Sequence, residues 1–226
     1  MKNPSHIIFA FPAPAMTDSQ NTRISSRRKP KQARSNDLVS AILQAAIQVL
    51  AKEGIRRFTT TRVAERAGVS VGSVYQYFPN KASILFRLQS DEWQQTSAML
   101  EEILQDTALP PLERLRRLVH AFVRSECEEA EVRRALNDAA PFYRDAPEAI
   151  EIKAAGDRML EAFMLEVLPG VSESARAMAG DLVMATLSAV GQQFSETPRT
   201  DPEIDAYAAA MADMLCAYLS KLAAGK

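Results

Sequence analysis

A chain of 226 residues, 47% of them hydrophobic, is long enough to bury one large core or two small ones. Its two cysteines, Cys127 and Cys216, have no C-x-x-C neighbour, and its only histidines are His6 and His120, so no metal spacing or Cys-His pair stands out. The formal net charge of −1 hides an uneven distribution: residues 1–81 hold 13 Lys or Arg against 4 Asp or Glu, leaving 14 against 24 in 82–226. A basic front end on an acidic remainder implies that only the front meets a polyanion.

Lys2 precedes a short apolar segment, I-I-F-A-F, and a small-residue P-A-P-A. The segment is too short for a secretory signal, and Met16 is an alternative start. No apolar run approaches the ~20 residues that span a membrane, so no membrane partner is expected. From Thr17 to Arg34 the chain is polar and then basic, with Arg23, Arg27, Arg28, Lys29, Lys31 and Arg34. Too little apolar surface is available there to offset ordering entropy, which predicts disorder in isolation. Beside duplex DNA the same segment is an arm that tracks phosphates or enters the minor groove; otherwise it is a solvated tail.

A first helix is predicted from about Asp37 to Lys52, capped by Ser35, Asn36 or Asp37 and closed by Gly54. Ile42, Ala45, Ala46, Val49 and Leu50 form its stripe. The stretch Thr59 to Lys81 then reads as two short helices around a glycine turn. Thr59 or Thr60 caps the first, Gly68 ends it with φ > 0, Ser70 caps the second, and Pro79 helps to stop it at Phe78. Ile42, Ala46, Val49, Phe58, Val63, Val74 and Phe78 make a small core for this three-helix unit. Small and hydroxyl residues at the start of the second helix suit a recognition helix, which reads base edges with its N-terminal residues. Asn80 caps a fourth helix that carries Ile84, Leu85, Leu88 and Trp93 toward Leu104.

The pattern I42-L43-x-A45-A46-x3-L50-x3-G54, followed by T59-T60-T61-x-V63-A64-x2-A67-G68-V69-S70-x-G72-x2-Y75-x-Y77-F78-x2-K81-x3-L85, resembles the amino-terminal domain of the TetR family of bacterial transcriptional regulators. The resemblance covers about 45 residues without a gap. It implies that Ser70, Val71, Gly72 and Ser73 approach bases in the major groove, that Tyr75 and Gln76 also meet the DNA, and that Thr60 and Lys81 hold phosphates. Val71 departs from the family's frequent polar or basic residue; it suits a thymine methyl and cannot read a guanine edge.

Beyond Leu104 the chain reads as further helices set apart by proline breaks. Pro110 and Pro111 open one with Leu112, Leu115, Val119 and Phe122 on a face and a solvated acidic run, Glu126, Glu128, Glu129 and Glu131, near its end. A turn at 140–147 leads to a helix from Pro147 bearing Met159, Leu160, Phe163, Met164 and Val167 and ended by Pro169 and Gly170. A helix from about Glu173 to Glu196 follows. The last shows Ile204, Ala208, Met211, Leu215, Tyr218 and Leu222 along one stripe, while Tyr207, Ala210, Met214 and Ala217 on the other side are also not polar. One side serves the chain's own core and the other a second copy, unless the helix is wholly buried in a monomer. The face assigned to the homodimer comprises Ala179, Val183, Ala208, Met211, Leu215 and Tyr218.

The expected fold is all-α: a basic N-terminal arm over 1–34, a helix-turn-helix domain over 35–81, and a larger helical effector-binding and dimerisation domain over 82–226. No catalytic set survives, so neither an enzyme nor a cofactor is expected. The methionine-rich second half suggests an apolar small-molecule effector held by residues drawn from Trp93, Phe122, Phe142, Tyr143, Met159, Phe163 and Met178. The expected function is a cytoplasmic, homodimeric repressor, with reduced thiols, that binds a palindromic operator in double-stranded DNA and is released by its effector. An activator with this fold, or a helical interaction protein without operator-specific repression, is the alternative.

Overall fold

In the computed structural model the described residues are 33–143 and 146–225, and every regular element among them is helical. The basic arm up to Lys31, His6 and Met16 lie outside the described residues. Two compact units form, each drawn from separate stretches of sequence. The described residues of one are 33–94, 131–143 and 146–150, and of the other 95–130 and 151–225. The first therefore includes segments that the functional division at residue 81 assigns elsewhere.

In the first unit α1 (Ala33–Arg57) begins earlier than the expected Asp37 and is interrupted at Gly54, whose φ of 71° suits glycine. Ser35 is not its cap; its hydroxyl lies 2.7 Å from the Tyr77 hydroxyl. By length and composition Ser35–Arg57 is apolar enough to cross a membrane, contrary to the reading of apolar runs. Its apolar face has an ordinary destination. Ile42, Ala46, Val49 and Leu50 are buried together with Phe58, Val63, Val74 and Phe78, the expected three-helix core. α2 (Thr60–Ala67) packs on α1, and α3 (Val71–Tyr77) packs on α2.

α4 (Lys81–Gln105) starts where expected, with Ser83 N–H donating to Asn80 Oδ1 at 2.9 Å. Sequence reading missed a separate α6 (Ala130–Ala139), because no proline or glycine marks the break after α5. Polar groups on α4 and α6 meet in this unit. Arg133 pairs with Glu92 at 3.1 Å with both side chains largely withdrawn from solvent, and Gln89 Nε2 donates to Glu92 at 2.9 Å. A 3-10 turn, Ala140–Phe142, leads to Tyr143, whose hydroxyl lies 2.9 Å from Gln89 Oε1 and 2.8 Å from the Leu136 carbonyl oxygen. Burial pushes the Tyr143 hydroxyl far above its ordinary pKa, so it remains protonated.

In the second unit α5 (Pro111–Glu128) packs against both α8 (Glu173–Ser195) and α9 (Asp201–Ala223). Gly191 permits the close approach of α5 and α8: a Cβ there would lie 3.2 Å from Phe122 Cε1 and 3.3 Å from Glu126 Cγ. Glu126 is thereby buried, unlike the solvated member of an acidic run that the sequence suggested. Most of α7 (Pro147–Val167) belongs to this unit, where buried Arg114 donates to the Leu104 carbonyl and to Glu166. α9 begins with a capping box, the Thr200 N–H and hydroxyl each donating to Glu203 at 2.8 Å. Those bonds hold the Glu203 carboxyl below its usual range. Their contribution is present above the ordinary carboxylate pKa and is lost as pH falls through the lowered value. Both cysteine thiols are pushed up, chiefly by burial, which favours the unreactive thiol form.

Gly191→Val should lower the stability of this unit by about 1–3 kcal/mol, because two β-branch methyls must displace Phe122 and Glu126. Urea unfolding followed by circular dichroism checks this, with wild-type stability counting against the tight α5–α8 contact.

Candidate nucleic-acid interface

The turn between α2 and α3 is built from three local devices. Thr59, not Thr60, caps α2, its side chain accepting from Arg62 N–H at 3.2 Å. Gly68 takes the left-handed conformation at φ 68°, and Val69 N–H returns to the Ala64 carbonyl at 3.0 Å. Ser70 caps α3, its hydroxyl accepting from Ser73 N–H at 3.0 Å and lying 2.8 Å from the Ser73 hydroxyl. Val74 and Phe78 are buried, which fixes the inward face of α3.

The opposite face carries the residues expected to meet DNA. Ser70, Gly72, Tyr75 and Gln76 are exposed, and Val71 and Ser73 are half-buried. Among the described residues, a Cβ added at Gly72 would touch only the Ser70 hydroxyl, at 3.7 Å, so none of them demands glycine there. A backbone without a side chain at the first turn of a helix suits close approach of a phosphate or base edge. Freed from capping, Thr60 lies with its hydroxyl 3.2 Å from the Tyr75 hydroxyl, bringing two sequence-predicted contacts from different helices together.

Charge on this unit is partly used internally. Arg62 pairs with Glu53, and Arg66 Nε donates to Gln48 Oε1 at 2.6 Å. Arg56 and Arg57, exposed just before the Thr59 cap, are cations that motif reading passed over although their basic character was plain. Lys81, at the start of α4, carries its ammonium 4.5 Å from the centroid of the Phe142 ring. Phe142 was expected to touch an effector; it stands 40% exposed beneath a candidate phosphate contact.

The other predicted groups fall as follows. Trp93 and Tyr143 are buried in the first unit, with ring centroids 6.5 Å apart. Phe122 and Phe163 are buried in the second unit and Met159 packs beside them in its core, whereas Met178 is 68% exposed and lines no interior of this chain. For the dimer face the expectation needs correction. Ala179, Val183, Ala208, Met211 and Leu215 are buried in the chain's own core and Tyr218 packs against it, so these side chains are already consumed within one copy. The large apolar side chains left outward on α8 and α9 are Met178, Leu182 and Met214, and Ala210 and Ala217 are among the exposed alanines. A helix apolar on two faces gives no sequence cue to which face turns inward.

Comparison with known proteins agrees with this architecture. A family model described as bacterial regulatory proteins, tetR family, matches residues 42–88, and one described as tetracyclin repressor-like, C-terminal domain, matches residues 110–222. The fatty acid metabolism regulator protein of Bacillus subtilis (strain 168) is 34% identical over 67 residues, 30% of this chain and 34% of the relative. The HTH-type transcriptional repressor KstR of Rhodococcus jostii (strain RHA1) is 28% identical over 131 residues, 57% of this chain and 60% of the relative. The matches thus span about a third to three fifths of these relatives. Among solved structures, the fatty acid degradation regulator FadR from Bacillus halodurans superposes with a TM-score of 0.60 at 17% identity, covering 83% of this chain and 97% of that one. The TetR family transcriptional regulator PfmR from Thermus thermophilus gives 0.63 at 21% identity, covering 77% and 96%. At such identities the likeness establishes the fold.

Ser70→Ala, which removes the α3 cap, should cost about 1 kcal/mol, whereas Ser70→Asp keeps a good cap and brings a negative charge toward a phosphate backbone. Thermal unfolding should therefore separate the two variants while both lose DNA affinity. Retention of full affinity by the stable Ser70→Asp protein would place the DNA elsewhere.

Proposed function

We propose, from the premise that this chain belongs to the TetR family of bacterial regulatory proteins and is a DNA-binding transcriptional regulator rather than an enzyme, that it is a cytoplasmic homodimeric repressor released from a palindromic operator by an apolar small molecule. The observation that carries the DNA reading is the capped, outward-facing start of α3. Ser70, Val71, Gly72, Ser73, Tyr75 and Gln76 lie on one short rigid element, with Thr60 beside Tyr75 and Lys81 at the head of α4. In this reading Thr60 and Lys81 grip phosphates and the α3 residues meet base edges. Two heads in successive major grooves require half-sites about 34–36 Å apart.

Support for a second copy comes from the outward apolar residues of α8 and α9. Met178, Leu182 and Met214 are each about half exposed or more, and their burial against the same surface of a partner would remove them from water. Support for an apolar effector is indirect. Met159 and Phe163 lie on α7 and Phe122 on α5 of the second unit, and one curated relative bears the name of a fatty acid metabolism regulator. Whatever the compound, it must bind the DNA-incompetent state more tightly, since equal affinity shifts nothing.

Selection from a randomised duplex pool tests the reading. The full chain should enrich two inverted half-sites one helical turn apart; a pool that stays random at low salt would remove the operator proposal. Leu182→Glu combined with Met214→Glu should yield a folded monomer in sedimentation with at least tenfold weaker operator binding. A dimer that survives both charges would move the interface off this face. Charges at Ala208 or Leu215 are expected to unfold the protein instead, because both are buried within one chain.

A further inference from the structure

We infer that Phe142 is a positioning residue for operator binding: its ring holds the Lys81 ammonium in the place from which it grips a DNA phosphate. The inference rests on the proposed role of Lys81 as a phosphate contact. It adds a residue 61 positions later in the chain, outside the helix-turn-helix.

The geometry has two parts. Lys81 Nζ lies 4.5 Å from the Phe142 centroid, inside the range at which a cation is attracted to the negative face of an aromatic ring. The main chain that carries the ring is held in place by the next residue. Tyr143 is buried, with ring centroids 6.0 Å from Phe86 and 6.5 Å from Trp93 on α4, and its hydroxyl sits between Gln89 Oε1 and the Leu136 carbonyl. Gln89 continues into Glu92 and so to Arg133. The main chain at Phe142 is thus fastened to the same helix that begins at Lys81, and all of these residues lie in one compact unit.

Consequences for DNA follow from the chemistry of the ammonium. A lysine gripping a phosphate loses the freedom of a long, flexible stem. A ring that already restrains the stem reduces that loss. It covers one side of the ammonium, and the three N–H donors leave enough capacity for a phosphate oxygen on the other side. Because Phe142 is 40% exposed, it contributes little to the core, and its effect can be separated from folding.

The duplex enriched by the wild-type chain is the probe. Its dissociation constant is measured over a range of salt for the wild type, Phe142→Leu, Phe142→Trp, Lys81→Ala and the Phe142→Leu/Lys81→Ala double variant, with melting temperatures alongside. Phe142→Leu should weaken binding about two- to fivefold without changing the melting temperature, and Phe142→Trp should restore it. In the Lys81→Ala background the Leu substitution should have no further effect. Lys81→Ala should lower the salt slope by about 0.9, the release expected for one phosphate. Wild-type affinity in Phe142→Leu, an equal loss in the Lys81→Ala background, or tighter binding from a freed ammonium would each overturn the role of Phe142 while leaving Lys81 in place. An unchanged slope and affinity in Lys81→Ala would remove the phosphate contact itself and the inference with it.

Discussion

A helix of seven residues is not stable by itself in water, since nucleation costs more than its few hydrogen bonds return. Everything proposed for α3 therefore depends on the restraints at its two ends and on its buried side. The left-handed turn at Gly68 sets the direction of entry, the Ser70 side chain occupies an otherwise orphaned N–H, and Val74 and Phe78 anchor the inward face. What remains outward is fixed by subtraction. The side chains proposed to meet DNA are those that the core does not use, Ser70 among them although its hydroxyl also caps α3.

This division explains why the front of the chain was legible. Glycine, serine, threonine and proline act on the backbone within one or two residues, so Gly68, Ser70 and Asn80 declare their roles locally. The small core from Ile42 to Phe78 was readable for the same reason: short connections leave few ways to pack three helices. The sequence did not decide between Thr59 and Thr60, and the structure separates them, one hydroxyl capping α2 and the other meeting Tyr75. α6 was invisible because its start carries neither proline nor glycine.

Farther along, what sequence reasoning lacked was direction. α9 offers apolar residues on two sides, and periodicity alone gives them equal standing; Ala208 and Met211 turn inward while Ala210 and Met214 turn out. Close packing makes the choice, through the face of α9 that lies against α5. Phe142 shows a related gap, at longer range. An aromatic residue in a methionine-rich half suggests a ligand; in the structure this ring lies against the Lys81 ammonium at the head of α4. A contact over 61 positions leaves no mark in either local stretch.

The interleaving of the two units also bears on how the chain comes into being. α1 to α3 and the start of α4 are synthesised well before α6, so Glu92 emerges without Arg133 and Gln89 without Tyr143. At a translation rate of about 5–20 residues per second, several seconds pass before the remaining members of that unit exist. During this interval the apolar side chains around Trp93 lack their later cover. The order of synthesis thus separates the helix-turn-helix from the partners that later complete its unit, Arg133 for Glu92 and Tyr143 for Gln89.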